Sequence, residues 1–236
     1  METSDIPGTV LLSGVVGSTA YGLATGDSDI DRLGTYAAPT IAFHGLHPPL
    51  GKAATWVSTS PDATYHEAGK LVALLLKANP TVTELLWLDD YEVSTPLGQD
   101  LIAMRAAFLS AIPVRNAYLG YATQQFQRLV NRGDGSFSAD TRKRTEKHAR
   151  HLCRLIWQGT GLHASGTLTV RLPPERAQRC REFGEQVAQD PDIARRMLAA
   201  AEEIFDAPGV LPPRPDEDEA QAWLHAVRRA YFREET

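Results

Sequence analysis

The sequence predicts an α+β fold, with a small mixed sheet and its helices over residues 1–110 and a helical domain over residues 111–236. Three observations carry this prediction. The apolar run Val10–Val16 has the length and composition of a buried strand, and a second extended segment follows it from Ser28 to Tyr36. From about Thr81 onward the chain reads as helical. Prolines suited to first helical turns punctuate that second part at Pro113, Pro174 and Pro191.

Between the two extended segments Gly17-Ser18 breaks the first strand, Ser18 is placed to cap a short helix from Thr19 to Ala24, and Gly26-Asp27 makes a turn. A loop rich in Pro, His and Gly spans Pro39–Gly51. Its His44 and His47 have no carboxylate or Cys nearby and read as bystanders. Ala53–Ser58 suits another short strand. Thr64 and Glu67 match a capping box, which places a helix start at Tyr65, and that helix ends at Asn79-Pro80. Asp62 then stands at the mouth of the helix, where an acid also suits the dipole. Thr81–Glu84 is a second capping box, opening a short helix that includes Trp87.

Leu97–Ser110 is amphipathic. Pro113–Asn131 sets Tyr118, Tyr121, Gln124, Gln125 and Arg128 on one face, and Arg132–Ser136 is a loop. Thr141–Arg154 is the most basic stretch, with Leu152, Leu155 and Ile156 as its buried stripe. Pro174–Gln189 and Pro191–Asp206 are two further helices, and Pro208–Pro215 is a connector. Asp216–Glu219 places acids on the first turn of a last helix reaching about Phe232.

The composition, 43% hydrophobic and 22% charged, is that of an ordinary globular protein. Cys153 and Cys180 lie far apart without metal-like spacing, which suits free thiols in a reducing cytoplasm. The acidic start Met1–Asp5 lacks the layout of a signal peptide, and no apolar run approaches the roughly 20 residues of a membrane span. A cytoplasmic location is therefore expected. The net charge of -5 argues against a non-specific coat on nucleic acid, without excluding a local basic face.

The chemistry concentrates in Gly17–Asp31. On a strand, Asp29 and Asp31 share one face while Ile30 points into the core. Two neighbouring carboxylates repel each other, so a nearby cation is what keeps both ionised, and Mg2+ suits carboxylates combined with phosphate oxygens. Gly17 lets a phosphate approach the backbone, and Ser18 with the amides after it can donate to it. The outline is that of a nucleoside triphosphate site. The plain alternative is a polar hairpin whose carboxylates face water.

Gly17-Ser18, ten intervening residues and Asp29-Ile30-Asp31 resemble the signature of the DNA polymerase beta superfamily of nucleotidyltransferases. The fuller string Gly17–Gly22, with Tyr21 inside it, through Ser28–Gly34 resembles a narrower branch, the RNA repair pathway DNA polymerase beta family. The resemblance implies a nucleotidyltransferase fold for the sheet domain, with the helical domain closing the active-site groove. It implies a third carboxylate on a strand beside that of Asp29 and Asp31. Asp62 is the candidate and Glu67 the reserve. Tyr21 and Lys70 join Gly17 and Ser18 as nucleotide-binding residues. Lys70, Asn79-Pro80 and Glu84–Trp87 fit the family's layout, as does a basic helix carrying Lys147, His148, His151 and Arg154 for phosphate or acceptor contacts.

The implied reaction moves a nucleoside monophosphate from an NTP to an acceptor hydroxyl with two Mg2+ or Mn2+ ions. RNA is the favoured acceptor. Transfer to a protein or small molecule, as in antitoxin-like nucleotidyltransferases, and nucleotide binding without catalysis are the alternatives. For the tyrosine face of Pro113–Asn131, base stacking and closure of a core edge stand side by side.

Overall fold

Thr9–Val16 forms β1, and its inward residues Leu11, Leu12 and Val16 are buried. The computed structural model describes residues 5–26, 28–130 and 139–232. The expected turn residue Asp27, the Arg132–Ser136 loop and residues 1–4 lie outside them. After β1 come α1 (Gly17–Tyr21), β2 (Asp31–Ala37), β3 (Thr55–Thr59) and β4 (Asp62–Glu67). The sheet ends with the two-residue β5 (Val93–Ser94). Its order is β3-β4-β2-β1-β5, with β2 antiparallel to β1 and parallel to β4, so the sheet is mixed as expected.

Helices α2 (Ala68–Leu75), α3 (Pro80–Leu85) and α4 (Pro96–Ala103) supply apolar side chains to the main core. Leu71 and Leu75 of α2 and Leu85 of α3 meet Leu11, Leu12 and Leu33 there. A smaller cluster of Tyr36, Ala63 and Tyr65 with Trp56 and Phe43 lies apart from it. A Cβ on Gly34 would overlap the Tyr65 ring, which packs over that glycine from the neighbouring strand.

Three local readings change. Residues 65–67, where the capping box places a helix start, instead complete the strand β4. Ala63, Tyr65 and Glu67 alternate as buried positions, and the pairing of β4 with both β2 and β3 outweighs the capping signal. Glu67 does cap a helix, but as the residue just before α2, accepting from the Gly69 amide at 2.8 Å. Asn79, not Thr81, caps α3 by accepting from the Val82 amide at 3.2 Å, which leaves Trp87 beyond the helix.

The chain divides into two compact units. One comprises residues up to Leu109 together with those from Pro215 on, and the other is Ser110–Arg214. The second unit is helical, built from α5 (Ala111–Val130), α6 (Ala139–Ser165), α7 (Pro174–Gln189) and α8 (Asp192–Asp206). The last helix, α9 (Glu217–Ala230), belongs to the first unit rather than to an unbroken 111–236 helical domain. The reason is its apolar face. Ala220, Trp223 and Val227 enter the sheet unit's core, and the Trp223 indole N–H donates to the Leu97 carbonyl at 2.9 Å.

Candidate active site

The register of β2 against β4 builds the site. Arg32 stands opposite Ala63 and Leu33 opposite Thr64. One step back on each strand are Asp31 and Asp62, the first residues of β2 and β4. Residues at matching positions of parallel neighbours leave the same face, with strands about 4.8 Å apart. Both carboxylates therefore start from one rim of the sheet, where β1 ends at Val16 opposite Asp31.

Gly17 follows immediately, with φ at 70°, a left-handed conformation that glycine adopts without strain. A Cβ at this position would overlap the Asp31 carboxylate, so the glycine is what lets that carboxylate lie against the backbone. Ser18 sits within α1 rather than capping it, and α1 ends at Tyr21, with Gly22 in the left-handed conformation after it. Asp29 lies two residues ahead of β2 on irregular, exposed backbone. Ile30, expected in the core, is 51% exposed, because the strand begins only at Asp31 and the alternation does not reach back to it. Among the described residues, no group of three His, Cys, Asp or Glu side chains is arranged to hold a metal ion. Strand pairing gives Asp31 and Asp62 matching first positions on neighbouring strands, whereas Asp29 is carried by the segment leading into β2.

The reserve carboxylate, Glu67, is at the other end of β4, about 16 Å along the strand from Asp62. It is buried and held by Arg228 of α9 through hydrogen bonds of 2.6 and 3.0 Å. Lys70 is likewise not brought to the rim. Its ammonium donates to the Gly51 carbonyl at 3.0 Å and to the Thr55 hydroxyl, at the end of the sheet where Thr55 pairs with His66. The His66 ring, 3.1 Å from the same hydroxyl, is pushed down to about 4 by burial and by Lys70. The ring of Tyr21 is buried and its hydroxyl donates to the buried Glu84 carboxylate at 2.6 Å. Tyr21 thus anchors α1 to α3.

In the helical unit, Lys147 of α6 is exposed. His148 meets the Gln125 side chain of α5 at 2.8 Å. His151 is pushed down to about 3, by burial first and then by the charges of Arg154 and Lys147, so it is neutral at pH 7. Arg154 is buried and donates to Gln158 at 2.6 Å, and Gln158 in turn donates to the carbonyls of Thr169 and Val170. Of the four expected phosphate contacts, Lys147 faces solvent while Arg154 is turned into the unit. Tyr118 is fully buried against Gly159, which gives this member of the tyrosine face to the core.

The sequence model of the RNA repair pathway DNA polymerase beta family matches residues 2–204. The chain belongs to this family. No curated protein matches the sequence. The match to the RNA repair pathway DNA polymerase beta family takes in the rim of Gly17, Asp31 and Asp62 and the basic helix α6, and it ends inside α8. Helix α9, which completes the sheet unit, lies beyond the matched residues.

Around the site of this RNA repair pathway DNA polymerase beta family member, sequence reasoning missed the residues that hold the scaffold. Arg228 is 161 positions from its partner Glu67, and no local pattern links them. Arg32, next to Asp31 but on the opposite face of β2, makes a two-pronged pair with Glu92 at 2.9 and 3.0 Å. Glu84 was legible as a helix-start acid, but its burial beneath Tyr21 was not.

Proposed function

We propose that this protein is a metal-dependent nucleotidyltransferase that moves a nucleoside monophosphate from an NTP to an acceptor hydroxyl, with an RNA end as the acceptor and pyrophosphate as the leaving group. The observation that carries the reading is the register that starts β2 and β4 with Asp31 and Asp62 on one rim, beside a glycine that a Cβ would push off the Asp31 carboxylate. Membership of the RNA repair pathway DNA polymerase beta family supports it.

The donor set fits a hard divalent cation, since all three candidates are carboxylates. Asp31 and Asp62 would hold Mg2+ or Mn2+ with Asp29, which the irregular segment before β2 can bring toward them. Two such ions, when bound, lower the pKa of the acceptor hydroxyl and neutralise the triphosphate and the departing pyrophosphate. The chain's own residues do the rest. Gly17 admits a phosphate to the backbone, and Ser18 donates to it. Asp62 receives the acceptor's proton, so that a new P–O bond forms as the bond to pyrophosphate breaks.

The RNA acceptor draws support from charge. Residues 110–214 hold 16 of the chain's 24 Lys and Arg but only 11 of its 29 Asp and Glu, although the whole chain is acidic. Lys143, Arg144 and Lys147 are exposed on α6, where they suit phosphate contacts.

The test is incubation with each labelled NTP and Mg2+ or Mn2+, with and without bulk RNA. Label on RNA, lost in Asp31→Asn and Asp29→Asn, is the expected result. Label on protein would move the acceptor to the alternative class. Wild-type transfer by the Asn variants would overturn the site.

A further inference from the structure

The two cysteines, 27 positions apart in the sequence, meet where α6 and α7 come close. Gly184, four residues after Cys180, faces the Glu146 carbonyl and the Arg150 side chain so closely that a Cβ there would sit 2.9 Å from that carbonyl oxygen. At this approach the sulfurs of Cys153 and Cys180 share a hydrogen bond at 3.0 Å, and both thiols are free and buried. The hydrogen bond shared with Cys153, and then the charges of Arg154, Arg176 and Arg181, hold the Cys180 thiol below its ordinary value against the opposing effect of burial. Cys153 is raised, chiefly by that shared bond and by burial. The two sulfurs are thus bonded to each other, Cys180 donating to Cys153, with arginine charge at hand to favour ionisation of Cys180.

We propose that Cys153 and Cys180 are a redox-reversible modification site, at which a hydroperoxide converts the two thiols into a disulfide joining α6 to α7. The sulfurs need to close by only about 1 Å to reach bonding distance. In the first step the Cys180 sulfur, having given up its proton, attacks the terminal oxygen of the peroxide; the O–O bond breaks, the peroxide's alkoxide (hydroxide for hydrogen peroxide) leaves and takes up that proton, and sulfur becomes a sulfenic acid. Next the Cys153 sulfur attacks the Cys180 sulfur. The S–S bond forms as the S–O bond breaks, and the hydroxyl leaves as water with the Cys153 proton. The net change is two thiols and one hydroperoxide to one disulfide, water and the peroxide's alcohol or a second water. A dithiol reverses it by exchange. Burial of both sulfurs favours an oxidant of water-like size over a bulky disulfide. Nothing in this step involves a nucleotide or a metal, so it stands independently of the transfer reaction.

The test is titration of the whole protein with hydrogen peroxide, followed by acid quench, alkylation under denaturing conditions and peptide mass spectrometry. The expected result is a cross-linked peptide pair containing Cys153 and Cys180, lighter by two hydrogens than the reduced pair and restored by dithiothreitol. Two alkylated thiols after treatment, or over-oxidised Cys180 without the cross-link, would overturn the proposal. Single variants assign the roles. In Cys153→Ser, dimedone should trap a sulfenic acid on Cys180 about tenfold faster than it traps Cys153 in Cys180→Ser. Equal or reversed rates would remove Cys180 as the first sulfur oxidised, and the wild-type peptide map stands as a readout even if either variant folds poorly.

Discussion

Glu67 and Arg228 are joined by two hydrogen bonds of 2.6 and 3.0 Å, with the carboxylate 2% exposed and the guanidinium stacked 4.0 Å over the Phe43 ring. Glu67 closes β4 and caps α2, while Arg228 lies near the end of α9. The last helix is thereby pinned to the strand whose first residue is Asp62. Truncating Arg228 to Ala leaves a buried carboxylate without its charge partner, at a cost of about 3–5 kcal/mol. Urea denaturation of Arg228→Ala should show that loss. Arg228→Ala combined with Glu67→Gln should recover part of it, because the unpaired charge is gone.

Gly17 makes a sharper prediction about the rim. In Gly17→Ala the left-handed backbone costs about 1–2 kcal/mol, and the new methyl meets the Asp31 carboxylate. Stability should fall modestly while nucleotidyl transfer falls much further than stability, since the displaced group is the proposed metal ligand. Denaturation and transfer measured on the same preparation check this. An alanine variant that is destabilised yet transfers normally would show that the contact is structural only.

Tyr21 and Glu84 form a second long-range tie, from α1 to α3, at 2.6 Å. Tyr21→Phe removes a donor from a fully buried carboxylate and should cost about 1.5–3 kcal/mol. A double-mutant cycle with Glu84→Gln, read by urea midpoints, should show a coupling energy well above zero. Additive single effects would mean that the hydroxyl and the carboxylate act separately.

The two depressed histidines set an acid limb of stability. His66 is held at about 4 and His151 at about 3, both below the unfolded value near 6.5. Below 6.5 the unfolded chain takes up protons that the folded chain refuses, so stability present above that pH declines as pH falls toward 4 for His66 and toward 3 for His151. Each histidine contributes at most one proton to the slope. Amide hydrogen exchange at pH 7, 6 and 5 should show weakening protection in both units. His66→Gln should flatten the trend in the sheet unit, and His151→Gln in the helical unit.

Much of this fold was legible because its signals are local. The apolar run of β1, the break at Gly17, the helical second part and the positions of Asn79-Pro80 follow from side chains acting on their own backbone. Where the reading departed from the structure, a distant partner had decided. Thr64 and Glu67 have capping-box spacing, yet residues 63–66 are claimed by two neighbouring strands and Glu67 by one. The segment before Asp31 reads as extended, but it has no ladder to join, and Ile30 is left in solvent. Asp62 could be named from the family layout. The register that sets it beside Asp31 is a product of tertiary pairing and appears in no window of the sequence. The same holds for Cys153 and Cys180, whose separation gives no hint of sulfurs in contact.

Helix α9 is encoded after the whole helical unit, yet it supplies Trp223 and Val227 to the core of the sheet unit. A ribosome making this protein therefore releases five strands well before the piece that seals them. The 105 residues of Ser110–Arg214 pass in between, about 5–20 s of translation at typical rates. During that interval the nascent sheet carries an open apolar patch, while the helical unit emerges with all of its own elements and is free to fold first.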